Sequence, residues 1–256
     1  MGKPIVITFA NQKGGVGKTT SAVNIAAAVG AMGYKVLLCD LDPQGNATSG
    51  CGISKKSLRH SAYDALIGAS DPKLAVYKTD FQTLWIIPST IDLAGAEIEL
   101  IEQDGREYAY KRIIDSVGED FDFVFTDCPP SLSILTINAL SAANGVVIPM
   151  QCEYYSLEGL SQLMISIKKV KQLYNPELTI TGILITMYNG RLNLSAHVLG
   201  EIKKYYADKL FKTSVTRNVK LTEAPSFGEP IYYYDKYSKG SLAYTEIAKE
   251  LISRVL

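Results

Sequence analysis

The sequence predicts a doubly wound α/β domain, a mostly parallel sheet with helices on both faces. Three observations predict it. Short apolar runs recur along the chain, separated by longer stretches of helical character. A glycine-rich segment joins the first apolar run directly to the first helical stretch. Aspartates stand at the C-terminal ends of later apolar runs, the end at which open α/β sheets place their sites. The 256 residues contain no proline-rich spacer, low-complexity tract or fixed-period repeat, so residues 1–256 read as one domain.

Ile5, Val6, Ile7, Thr8, Phe9 and Ala10 form the first predicted strand. Residues 19–32 are rich in alanine, with Ala22, Ala26, Ala27 and Ala28 allowing a helix to lie close on a sheet and Gly33 placed to end it. Residues 35–39 return as a second buried strand, which completes a parallel βαβ unit. Further strands are predicted at 84–87, 123–125, 146–150 and 179–185, and helices at 106–117, 133–143 and 157–174. Tyr232, Tyr233 and Tyr234 read as strand residues that alternate between two faces, so they offer no stacking platform. In residues 241–256, Leu242, Ile247, Ala248, Leu251, Ile252 and Val255 read as the inner face of a core-packing helix.

The loop itself is Lys13-Gly14-Gly15-Val16-Gly17-Lys18-Thr19-Thr20. Successive backbone N–H groups of such a turn point inward at a polyphosphate, and the helix that follows adds its positive end. Lys18 is placed to reach the terminal phosphates and Thr19 to offer a hydroxyl to Mg²⁺. The common spacing has glycine where this chain has Gln12, and a second lysine, Lys13, stands at the loop mouth. This form resembles the deviant Walker A group of P-loop NTPases, the ParA/MinD family. The resemblance implies ATP and Mg²⁺ as ligands, slow ATP hydrolysis and an ATP-bound homodimer in which Lys13 reaches the partner's nucleotide.

Hydrolysis requires a held metal, neutralised phosphoryl charge and one aimed water. Asp127 ends an apolar strand and has the setting of a Walker B acid that holds Mg²⁺. Asp40 and Asp42 end the second strand in Asp40-Leu41-Asp42-Pro43-Gln44-Gly45-Asn46. Either could instead cap the turn before Pro43. The resemblance assigns the attacking water to Asp42 and leaves Asp40 beside the metal, as a partner of its ligands. Five segments sharpen it: residues 40–50, 88–97, 127–132, 151–155 and 221–226 together look like the chromosomal, Soj-type branch of the ParA family. That branch implies nonspecific double-stranded DNA as a partner, bound through Arg191, Arg217 and Lys220. It also implies an adenine-side loop at Thr216 and Asn218, and a ParB-like partner protein that speeds turnover. The chain departs from the pattern at Lys220, where arginine is common, at Thr216, where proline is usual, and at Tyr237, a position that is often basic.

Formal net charge is zero, yet ten lysines and arginines between Lys168 and Lys220 face three acids, while Asp92 to Glu107 is acidic. Cys39, Cys51, Cys128 and Cys152 form no C-x-x-C pair, so they read as reduced buried thiols and not as a metal or cluster site. No leader or membrane-length apolar segment begins the chain, and the expected location is cytoplasmic and nucleoid-associated, with no membrane contact. Two alternatives remain open at this level: a MinD-like membrane-associated positioning ATPase, and a ParA-like ATPase that positions another cargo.

Overall fold

Side chains alternate between two faces along each strand, and both faces are buried, so the sheet carries two separate cores. The structure, a computed structural model, describes residues 2–256. In chain order the elements are β1 (Ile5–Phe9), α1 (Lys18–Ala31), β2 (Val36–Asp40), α2 (Asn46–Gly50), α3 (Ala62–Ile67), β3 (Tyr77–Lys78) and β4 (Leu84–Ile87). There follow α4 (Leu93–Glu99), α5 (Ala109–Val117), β5 (Phe123–Asp127), α6 (Ile134–Ala142), β6 (Gly145–Gln151) and α7 (Ser156–Leu173). The chain ends with β7 (Thr179–Thr186), α8 (Asn193–Tyr206), α9 (Val219–Glu223), α10 (Ile231–Tyr234) and α11 (Lys239–Val255).

The strands form one sheet in the order β3-β4-β2-β5-β1-β6-β7, parallel except for the short edge strand β3. Ile7, Phe9, Leu38 and Phe125 face α1 and α11, while Val6, Leu37, Val124 and Ile148 face the helices of the other layer. The doubly wound prediction therefore holds, and consecutive apolar residues in β2 and β5 are all buried because helices cover both sides.

Register brings the functional ends together. Phe9 of β1 and Asp40 of β2 both pair with Asp127 of β5, so the glycine-rich loop, the Asp40 turn and Asp127 share one edge of the sheet.

Three sequence expectations change. The helix expected from residue 106 begins with a 3₁₀ turn at Arg106–Tyr108 before α5. The Tyr232–Tyr234 run is a helical turn and not a strand: Pro230 precedes it, and the side chain of buried Asn24 accepts a hydrogen bond from the Ile231 N–H at 2.6 Å. Among the described residues no strand lies beside it, so the backbone closes on itself. Helix α11 packs into the core as expected, with Ile247, Ala248 and Leu251 buried; Tyr244 joins them, and Leu242 points outward and is 54% exposed. Among the described residues no helix is long and apolar enough to cross a membrane.

Candidate nucleotide site

The loop between β1 and α1 is held open by glycine conformation and by side chains of the loop itself and of strands β6 and β7 on one side of β1. Gly15 and Gly17 have φ of 71° and 84°, the left-handed region that a Cβ disfavours. Helix α1 starts without a side-chain cap, so its first-turn N–H groups are left for a ligand. The loop carbonyls are engaged elsewhere. The Thr186 hydroxyl donates to Val16 O at 2.7 Å, and the Gln151 amide donates to Gly15 O at 2.8 Å. Asn11 accepts from Lys13 N at 3.0 Å and donates to Pro149 O at 2.8 Å. Carbonyls drawn towards β6 and β7 leave the amides to line the cradle.

Lys18 is buried, and its Nζ donates to Lys13 O at 3.1 Å. Burial lowers its pKa, opposed by the charges of Asp127, Cys128 and Asp42. Asp127 is fully buried, and neither carboxylate oxygen has a hydrogen-bond partner among the described residues. Desolvation raises its pKa well above the usual carboxylate range, the Asp40 charge adds to this, and Thr19 and Lys18 oppose it. A buried carboxylate without partners beside the Thr19 hydroxyl fits a hard cation with oxygen ligands, so Thr19 and Asp127 are the groups that would hold Mg²⁺.

Asp40, expected beside the metal as a partner of its ligands, pairs in register with Asp127 and has both carboxylate oxygens engaged by the protein. Its Oδ2 accepts from the Thr48 N–H at 2.8 Å and the Thr48 hydroxyl at 2.7 Å, and its Oδ1 accepts from Asp42 N at 3.2 Å. Thr48 in turn accepts from Ser89 N at 2.9 Å. Burial raises the Asp40 pKa to about 6 against these hydrogen bonds, and the residue holds the turn that presents Asp42. Asp42 accepts from Gln44 N at 2.9 Å through Oδ1 only, which leaves Oδ2 without a protein partner among the described residues.

Beside the cradle lies a cavity of about 340 Å³ lined by Gly17, Thr20, Met187, Thr216, Asn218 and Tyr244, among others. It receives both residues predicted for the adenine side, and Asn218 also caps α9 by accepting from Lys220 N at 2.9 Å. Met187 closes one wall at φ 50°, an uncommon conformation for a side chain with a Cβ. Lys13 is half-exposed and forms an ion pair with Glu153 of the same chain. Arg191 and Arg217 are exposed and make no ion pair among the described residues. Lys220 is also exposed, but it pairs with Glu223 at 3.0 Å and lies over the Tyr234 ring.

Sequence reading missed Asn11, Thr48, Gln151, Glu153, Thr186 and Met187 as parts of this site. Gln151 and Glu153 lie in a motif quoted for the family, whereas Thr186 is one more polar residue at a strand end and carries no local signal.

A P-loop, a strand-end acid and a switch turn on a mostly parallel sheet define the class, a P-loop NTPase. A family model described as an AAA domain matches residues 5–180. The sporulation initiation inhibitor protein Soj of Bacillus subtilis is 51% identical, covering 98% of each chain. The chromosome partitioning protein ParA of Myxococcus xanthus is 46% identical over 97% of this chain and 88% of its own. Among solved structures, cobyrinic acid a,c-diamide synthase from Mycobacterium smegmatis with bound ADP and magnesium superposes with a TM-score of 0.85 at 39% identity, covering 97% and 94% of the two chains. The chain belongs to the ParA/Soj/MinD family of P-loop ATPases.

The isolation of Asp127 has a measurable cost. A carboxylate whose folded pKa exceeds its unfolded value of 3.8 removes stability as pH rises from that value through the folded pKa. Asp127→Asn is expected to raise the melting temperature of the nucleotide-free protein at pH 7 by about 2–4 °C, from roughly 1 kcal/mol of relieved burial. The same change should abolish the further stabilisation that Mg²⁺ adds to bound nucleotide. Differential scanning calorimetry with and without Mg²⁺ checks both signs.

Proposed function

We propose that this chain is an ATP-driven dimer switch that binds double-stranded DNA without sequence preference in its ATP state and acts with a ParB-like partner in positioning chromosomal DNA. The observation that carries the proposal is Lys13, a second loop lysine tied to Glu153 at the surface, not directed into its own cradle. ATP binding completes a surface to which a second copy adds, and Lys13 leaves Glu153 for the partner's phosphates. Breaking that pair costs little, because an exposed ion pair contributes at most about 1 kcal/mol. The names of the relatives support the DNA-positioning role, since one is a chromosome partitioning protein.

Within the site, the backbone amides and Lys18 bind the phosphates, Asp42 orients the attacking water, and Asp40 holds the Asp42 turn. Bound Mg²⁺ supplies charge neutralisation on the phosphoryl oxygens. Hydrolysis removes the terminal phosphate that holds the two copies together, so the dimer separates and the DNA is released.

Dimerisation doubles each exposed basic contact, so a weak DNA affinity per chain becomes a usable one through effective concentration and counterion release. DNA binding measured with ATP, ADP and no nucleotide at two salt concentrations tests this directly. Salt-sensitive binding confined to ATP is the expected result, and equal binding in all three states, or none, would falsify the switch. Arg191→Glu is expected to spare ATP hydrolysis, weaken DNA binding about tenfold and reduce the salt slope by about one unit per chain. An unchanged affinity would place the DNA face elsewhere.

A further inference from the structure

The turn that carries Ile91, helix α4 after it and the 3₁₀ turn Leu100–Glu102 that follows leave an aliphatic stripe uncovered. Ile91, Ile98 and Ile101 are 67%, 73% and 59% exposed, and Ala94 lies exposed between the first two. Their spacing is i, i+3, i+7, i+10, the pattern that puts side chains in a single seam along a helix. Leu93, Ala96 and Leu100 of the same segment are buried against the protein, so the stripe is a second apolar face and not the core face misplaced. Isolated exposed aliphatics are ordinary, but four in register are the pattern of a helix that meets another element.

The rim of the stripe selects its occupant. Asp92, Glu97, Glu99, Glu102 and Asp104 flank it, and none of them forms an ion pair among the described residues. Asp92 accepts only from the Thr90 hydroxyl, at 3.1 Å, and Glu99 only from the Tyr63 hydroxyl, at 2.8 Å. This unpaired negative charge repels nucleic acid and anionic membrane. It also opposes a symmetric contact with a second copy, which would set acid against acid.

We propose that the Ile91–Ala94–Ile98–Ile101 seam is a docking surface for a cationic amphipathic helix from a partner protein. The partner's aliphatic face lies along the seam, and its lysines or arginines meet the acidic rim. The surface lies apart from the exposed Arg191 and Arg217 in the sequence and has the opposite charge. Its chain neighbour Ser89 donates from its backbone to Thr48, the residue that holds Asp40, so the seam starts close to the switch turn.

The test uses the full chain without nucleotide, so its outcome does not depend on the switch proposed above. The probe is a fluorescein-labelled synthetic helix of about 18 residues with leucine along one face and lysine elsewhere. Its control is a scrambled peptide of the same composition that has no leucine face. Expected are salt-dependent binding of the patterned peptide, a loss of about tenfold in the Ile91→Ser, Ile98→Ser double variant, and a weaker, flatter salt response in Glu99→Lys, Glu102→Lys. Equal binding of the scrambled peptide would reduce the surface to plain charge attraction and overturn the proposal. So would unchanged affinity in the serine double variant. Analytical ultracentrifugation of both variants completes the test: a smaller oligomer than the wild type forms would mean that a second copy covers the seam. Circular dichroism that matches the wild type separates either result from misfolding, which four exposed sites are not expected to cause.

Discussion

Lys18→Ala is expected to remove nucleotide binding, lowering ATP affinity by at least about 100-fold. The structure explains why the loss is so large. Lys18 is 6% exposed, and its ammonium faces the charges of Asp127 and Asp42. Without it, a polyphosphate enters a cradle whose nearest charges are carboxylates, and the backbone amides alone must offset that repulsion. Burial lowers the Lys18 pKa, and the charges of Asp127, Cys128 and Asp42 oppose that shift. Titration calorimetry with a slowly hydrolysed ATP analogue measures the effect. Lys18→Gln, which keeps most of the side-chain volume, separates loss of charge from loss of packing. Wild-type affinity in both variants would remove Lys18 from the phosphate site.

Asp42→Ala produces the second large change, and it affects a different quantity. Turnover should fall by about 10²–10³-fold while ATP affinity stays near that of the wild type, the signature of a group used to aim water and not to bind. Asp42 keeps one carboxylate oxygen on Gln44 N and leaves the other without a partner among the described residues, which is the geometry such a role needs. Because ATP persists, the variant should remain dimeric and on DNA. Phosphate release, nucleotide binding and sedimentation measured together check all three. Normal turnover would transfer the water-positioning role to another group. Asp40→Ala should not reproduce this split, since removing it frees Thr48, strands a buried donor and disturbs the turn as a whole.

Much of this site was legible before any fold was known. Glycines at 15 and 17 announce positive φ, and Lys18 and Thr19 follow at the spacing that a phosphate loop requires. Asp40 and Asp127 end apolar runs, and parallel pairing places all such ends on one side. These inferences depend on residues near one another in the chain. The Tyr232–Tyr234 run misled because β-propensity describes a fit to neighbouring strands, and here none is present.

The sequence by itself determined the fold class, the conformation of the phosphate loop and the identity of the acids that face it, because each follows from local sterics or from strand polarity. Only the tertiary structure decided how the loop is braced, since Gln151 and Thr186 reach Gly15 and Val16 across 136 and 170 residues of chain. It likewise decided that Lys13 rests on Glu153, that Asp40 holds Thr48, and that Asp127 is left without a hydrogen-bond partner among the described residues. A hydrogen bond or an uncompensated charge depends on which groups are brought together and which are kept from water, and neither is a property of a residue or of its neighbours in the chain.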